Sequence, residues 1–243
     1  ISSLRMKHIP NFITSLNLAS GFFAIIFASK GDIVTASWLI LAAMIFDFLD
    51  GFSARMLKAY SAVGKELDSL ADVVSFGVAP GIIIYNLLNN SLTIYGPLGS
   101  VAENPVILVL LIPALMAICA ALRLAIFNLD VSQATVFKGL PTPANALAVI
   151  SVIIAGEYTD SSIISYLTGS TLILSVSTVI LSLLMVSRIP LLSLKMTNLK
   201  IKGNEGRFIL AGVVIISLLI FGLAATPLII PLYIIVSVLS ILV

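Results

Sequence analysis

Four aspartates, Asp47, Asp50, Asp68 and Asp72, stand within residues 47–72 of a chain that is otherwise strongly apolar. The first pair is spaced i, i+3 and the second i, i+4, so on helices each pair lies along one face. A carboxylate near the bilayer centre costs roughly 2.5–3.5 kcal/mol on insertion scales, which makes intramembrane acids rare and usually functional. Four together ask for a cation. No His or Cys lies in the stretch, and oxygen donors alone point to Mg2+, Mn2+ or Ca2+ rather than zinc. Gly51, Ala54 and Gly64 keep bulk away from the carboxylates, and Arg55 offers a planar cation suited to a phosphate oxygen. Acidic helix faces, small residues and an arginine describe a site for a metal-bound pyrophosphate.

The elements that carry these residues must be membrane helices. The chain has 243 residues, 60% of them hydrophobic and 10% charged, and a span needs about 20 mainly apolar residues. The fold expected is an all-α integral membrane protein of eight transmembrane helices, over about 11–29, 33–59, 64–88, 105–127, 141–156, 161–187, 208–225 and 227–243. A short basic amphipathic segment, residues 1–10, lies at the interface before them. Residues 11–190 form the membrane domain with the aspartates, and 191–243 add a basic loop and two C-terminal spans. A short connection makes the second and third spans antiparallel neighbours. At 1.5 Å rise per residue Asp50 and Asp68 both lie within roughly 15 Å of that connection, so the two pairs can meet.

The charges orient the bundle. With the N-terminus in the cytoplasm, all of the 13 basic residues except Lys30 fall on the cytoplasmic side, and Asp32, Glu103, Glu157 and Asp160 fall outside. Both termini and the aspartates are therefore expected at the cytoplasmic face of the cell membrane. A net charge of +2 distributed in this way gives no reason to expect a nucleic-acid partner. The carboxylates by themselves also fit an ion channel, a cation transporter or helix–helix glue. Transporters, however, usually show paired repeats and broken helices at midplane, and no internal repeat is apparent here.

The spacing resembles a known pattern. Asp-x2-Asp-Gly-x2-Ala-Arg-x8-Gly-x3-Asp-x3-Asp is matched at every fixed position, by Asp47, Asp50, Gly51, Ala54, Arg55, Gly64, Asp68 and Asp72. This is similar to the signature of the CDP-alcohol phosphotransferase family. The resemblance implies a membrane enzyme that moves a phosphatidyl-type group from a CDP-linked lipid, of CDP-diacylglycerol or CDP-archaeol type, to an alcohol, releasing CMP. It further implies two metal ions held by Asp47, Asp50 and Asp68, with Asp72 close to the metals and serving as base toward the acceptor hydroxyl. It implies a homodimer and a six-span core, here followed by a C-terminal pair. Asn17 resembles a position near the nucleotide, and Ser69 is placed to reach it.

The acceptor is narrowed by three further segments. IPNFITSLNLASGF near the N-terminus, ALRLAIFN at 121–128 and FKGLPTPANA at 137–146 look like the phosphatidylserine synthase branch, with a departure at Ile126, where relatives often carry arginine. That branch implies L-serine as acceptor and a phosphatidylserine-type product. Arg123, Lys138 and Arg188 are candidates for the serine carboxylate, and Asn128 and Asn145 for orienting hydrogen bonds. The same cations also read as topology markers or as contacts to anionic lipid headgroups. Glycerol 3-phosphate and inositol phosphate are the alternative acceptors within the family, and cation transport is the alternative outside it.

Overall fold

The computed structural model describes residues 8–93, 105–129, 137–192 and 205–242. Helix α1 (His8–Ser29) ends at Gly31, whose φ of +86° makes the tight turn expected at Lys30–Asp32. Asp32 then caps α2 (Ile33–Met56), its carboxylate accepting from the Thr35 amide at 3.0 Å. The two helices pack side by side. Ser61 starts α3 (Ala62–Asp72), its Oγ accepting from the Gly64 amide at 2.9 Å. The chain then widens into a π-helical turn over Val73–Val78 and continues as α4 (Ala79–Thr93). Such wide turns are rare and frequent at functional sites, and this one begins directly after Asp72.

Proline and glycine shape the remainder. A 3-10 segment (Pro105–Leu111) precedes α5 (Ala114–Leu129), with Pro113 at the change of geometry. Helix α6 (Thr142–Tyr158) starts at the Pro141–Pro143 pair, where missing amide donors cost nothing. The expected sixth span is not one straight helix: α7 (Ser162–Gly169) and α8 (Thr171–Val186) meet at a 78° bend. Two short strands, β1 (Phe137–Lys138) and β2 (Pro190–Leu191), pair antiparallel, Lys138 opposite Pro190. Helix α9 (Glu205–Phe221) and α10 (Ile229–Leu242) are joined by a 3-10 segment, Gly222–Leu228.

The all-helical membrane architecture is as expected, and the number of spans is where length and apolarity alone give less. Among the described residues five helical runs are long and apolar enough to cross a bilayer, or six if the bent α7–α8 pair is one span. Thr142–Tyr158 falls just short, with 17 residues. The run Gly206–Ser240 is 35 residues of continuous apolarity, yet it doubles back. Gly222 takes φ +57°, and a Cβ on Gly206 would lie 2.9 Å from the Ser240 Cβ at the other end. Arg5, Lys7, Glu103, Lys195, Lys200, Lys202 and most of the expected interfacial segment lie outside the described residues.

Close helix crossings use small residues, as membrane interiors require when lipid is as apolar as leucine. A Cβ on Gly77 would stand 2.9 Å from the Ala120 Cβ, and one on Gly81 3.1 Å from the Pro113 carbonyl oxygen. Around these contacts Ile40, Phe76, Ile83, Met116 and Ile150 are fully buried. They pack α2, α4, α5 and α6 into one core.

Candidate active site

Helices α2 and α3 bring the first three aspartates together. One carboxylate oxygen from each of Asp47, Asp50 and Asp68 lies within 4.8 Å of the other two. Asp50 is buried, and its Oδ2 and the Oδ1 of Asp68 have no hydrogen-bond partner. Buried polar atoms are nearly always paired, so two orphaned carboxylate oxygens in one cluster fit a hard divalent ion that would complete them. Asp72 falls outside this group. Its Oδ1 accepts from Asn17 Nδ2 at 3.3 Å, and the Asn17 carbonyl in turn accepts from Ser75 Oγ at 3.1 Å. A Cβ on Gly21 would strike Ser75, so the glycine lets the π turn approach α1 and makes this chain of contacts possible.

The three clustered aspartates open onto a cavity of about 790 Å3. Gly51 and Arg55 line it beside them. A Cβ on Gly51 would meet nothing nearer than the Arg55 guanidinium at 3.6 Å, so this glycine leaves room beside the carboxylates. The rest of the lining is apolar: Met44, Phe48, Pro141, Pro143, Ala144 and Leu147 and, not foreseen, Leu192, Leu210, Val214, Ile229, Ile230 and Tyr233 from the C-terminal part of the chain. A tyrosine inside the otherwise apolar IIPLYIIV run is the one local sign of it.

The cations gather as well. Arg123, Lys138 and Arg188 line one smaller pocket of about 270 Å3, closed by the β1–β2 bridge. Gly139 makes the bridge possible: at φ +76° its position faces the carbonyls of Leu184, Met185 and Ser187, which a Cβ would meet at 2.6–2.9 Å. Its amide donates to Ile189 O at 2.9 Å, and the next amide, of Leu140, donates to Leu184 O at 2.9 Å. Arg123 is buried, its Nε lacks a partner, and its charge lies within electrostatic reach of Asp72.

Other expected positions fall elsewhere. Gly64 lines neither cavity; a Cβ there would meet Asn11 Oδ1 at 2.8 Å, so its smallness serves the contact of α3 with α1. Ser69 donates to the Lys65 carbonyl and accepts from Asn128 Nδ2 at 2.9 Å, which ties α3 to the end of α5. Asn145 is fully buried and lines neither cavity, so it is not in the pocket with the three cations; both its amide groups lack partners. Ala54 is half-buried on α2 between Gly51 and Arg55 and is absent from both linings.

A membrane helix pair presenting clustered acids to a largely apolar cavity defines a site for charged group chemistry at a lipid boundary. Residues 7–183 match the CDP-alcohol phosphatidyltransferase family, and the chain belongs to it. The cation-transport reading of the aspartates is thereby set aside. Among similar proteins, a CDP-diacylglycerol–serine O-phosphatidyltransferase of Helicobacter pylori is 37% identical over 83% of this chain and 77% of its own. The enzyme of the same description from Bacillus subtilis is 34% identical over 76% of this chain and 89% of its own. An archaetidylserine synthase of Methanothermobacter thermautotrophicus is 35% identical over 63% of this chain and 61% of its own.

Proposed function

We propose that this enzyme transfers the phosphatidyl-type group of a CDP-linked lipid to the hydroxyl of L-serine at the cytoplasmic face of the cell membrane, releasing CMP. The observation that carries the reading is the cluster of three aspartates in a cavity whose remaining lining is largely apolar. That polarity matches a substrate with a pyrophosphate at one end and lipid chains at the other. Asp47, Asp50 and Asp68 would hold the divalent metal, two ions of Mg2+ or Mn2+, which when bound offsets the pyrophosphate charge and eases departure of CMP. Arg55 neutralises a phosphate oxygen at the cavity rim. The serine oxygen bonds to the lipid-bearing phosphorus. The bond from that phosphorus to the bridging oxygen breaks, and the oxygen leaves with CMP. The hydroxyl proton passes to Asp72, which Asn17 orients through the 3.3 Å hydrogen bond.

The basic pocket supplies the acceptor's counter-charge. Arg123, Lys138 and Arg188 line a space small enough for an amino acid, and the charge of Arg123 lies within electrostatic reach of Asp72. Three cations in one pocket also suit a phosphate-bearing acceptor such as glycerol 3-phosphate, which is the second reading. The names of the similar proteins favour serine. A homodimer is part of the proposal and is checked by mass measurement in detergent.

The test is CMP release by the purified protein in detergent with CDP-diacylglycerol, Mg2+ or Mn2+, and labelled serine, glycerol 3-phosphate or inositol phosphate in parallel. Release that requires serine and yields a labelled lipid supports the proposal. Release with glycerol 3-phosphate alone moves the assignment to the second reading, and no release with any alcohol overturns the catalytic reading.

A further inference from the structure

Much of the apolar wall of the cavity that holds the aspartates is made by a part of the chain that the family match does not include. Leu192, Leu210, Val214, Ile229, Ile230 and Tyr233 all lie beyond residue 183, where that match ends. Five of the six belong to the α9–α10 hairpin or to its start. The hairpin is fixed to the enzyme rather than hung beside it. Tyr233 Oη donates to the Leu192 carbonyl at 3.0 Å, and Thr226 Oγ1 donates to the Ser151 carbonyl of α6 at 3.1 Å. Leu210, Ile230 and Tyr233 are buried in one cluster with Cys119, Leu140 and Met185. The outer side of the hairpin is plainly different, with Leu219 81% exposed.

The wall's chemistry restricts what it can recognise. Its only polar side chain, Tyr233, commits its hydroxyl hydrogen to Leu192 and keeps only the oxygen as an acceptor, so what the wall offers a ligand is mainly apolar contact. Such contact gains free energy in proportion to area and has no directional requirement. The same cavity is lined by carboxylates and an arginine. We infer that the α9–α10 hairpin selects the lipid part of the donor: Leu210, Val214, Ile229 and Ile230 hold the chain segments next to the glycerol, while the CDP head lies at the aspartates. This rests on the donor proposed above and adds specificity-determining residues outside the family's matched region. A cavity of about 790 Å3 lies within the range that encloses a small ligand, so the wall reads the first part of each chain and leaves the rest to the bilayer.

The experiment uses the full chain in detergent with two ligands, CDP-diacylglycerol and CDP-glycerol, the second carrying a similar head and no chains. Val214→Trp and Ile230→Trp fill the cavity, Leu210→Ala removes contact without adding bulk, and Leu219→Trp alters the outer face. Two readouts are taken: kcat/KM for CDP-diacylglycerol with serine, and the ligand concentration that half-maximally raises thermal stability, which needs no turnover. The wall variants should weaken CDP-diacylglycerol by about tenfold, the equivalent of about 1.4 kcal/mol, and leave CDP-glycerol binding within about twofold. Leu219→Trp should change neither. Should the tryptophan variants fail to fold, Leu210→Ala decides alone. The inference is overturned if all folded wall variants keep wild-type affinity for CDP-diacylglycerol, or lose both ligands equally. Wild-type protein that binds both ligands yet releases no CMP would sink the proposed reaction while the binding comparison still decides the role of the wall.

Discussion

Asp50→Asn tests the charge logic of the site more sharply than loss of activity would. Three carboxylates with oxygens within 4.8 Å of one another form three mutually repelling pairs when ionised. At an effective dielectric of about 20, each pair at that separation is worth about 3.5 kcal/mol. Asp50 takes part in two of the three pairs, so before screening its removal relieves about 7 kcal/mol of repulsion in metal-free protein. Solvent and Arg55 at the rim screen much of this. If a seventh survives, the gain is about 1 kcal/mol, which for a chain of this size raises Tm by about 2–4 °C. The amide keeps the shape of the side chain, so packing is little changed. The assay is thermal unfolding in detergent, first in chelator and then with Mg2+ or Mn2+. In chelator Asp50→Asn should be the more stable protein. With metal the order should reverse, because the wild type gains stability by binding and the variant has lost a ligand. A variant that is less stable than wild type in chelator, or that keeps the full metal-dependent shift, would refute the reasoning.

Four further outcomes can be checked in the same preparations. Asp72→Asn should abolish turnover and leave the metal-dependent thermal shift and CDP-diacylglycerol binding largely intact, since Asp72 stands outside the clustered three; equal loss of binding counts against a role toward the acceptor. Lys138→Ala and Arg188→Ala should each raise the KM for serine by about tenfold, the usual loss of a charge-assisted hydrogen bond, before the KM for CDP-diacylglycerol moves. Gly139→Ala should raise the serine KM through loss of the β1–β2 bridge and lower stability by at least about 1–2 kcal/mol, the cost of a left-handed residue with a Cβ; a variant with wild-type Tm and kinetics contradicts this. Gly77→Val should destabilise by about 1–3 kcal/mol through overpacking against Ala120, read as a lower Tm with little change in either KM.

Much of this protein was legible because its medium is so restrictive. Backbone groups in hydrocarbon must be satisfied internally, so apolar runs of this length become helices. On helices, spacings of three and four residues define a face. Asp47 with Asp50 and Asp68 with Asp72 could thus be paired on paper, and the short connection expected near Tyr60–Val63, found at Leu57–Ser61, made their helices neighbours in the chain. Turn chemistry was equally readable at Lys30–Asp32 and at Pro141–Pro143. The Gly169–Ser170–Thr171 step that bends α7 against α8 carries a weaker local sign, and the sixth span was expected as a single run over 161–187.

What tertiary structure alone decided is which side chains meet across long separations. The sequence presents Arg123, Lys138 and Arg188 as three unrelated cations, and only the β1–β2 bridge, closed at Gly139, puts them in one pocket. Asn17 looked like a nucleotide contact, and Ser69 likewise. The fold turns the first to Asp72 and the second to Asn128, because partners 55 and 59 residues away can be matched only after helices pack. The α9–α10 hairpin shows the same limit most clearly. Its apolarity is identical whether a residue faces lipid or a substrate cavity, since neither surroundings demand polarity. The four aspartates therefore disclosed their chemistry through residue type and spacing alone, and the apolar wall of the same cavity gained its meaning only from where the chain folds back.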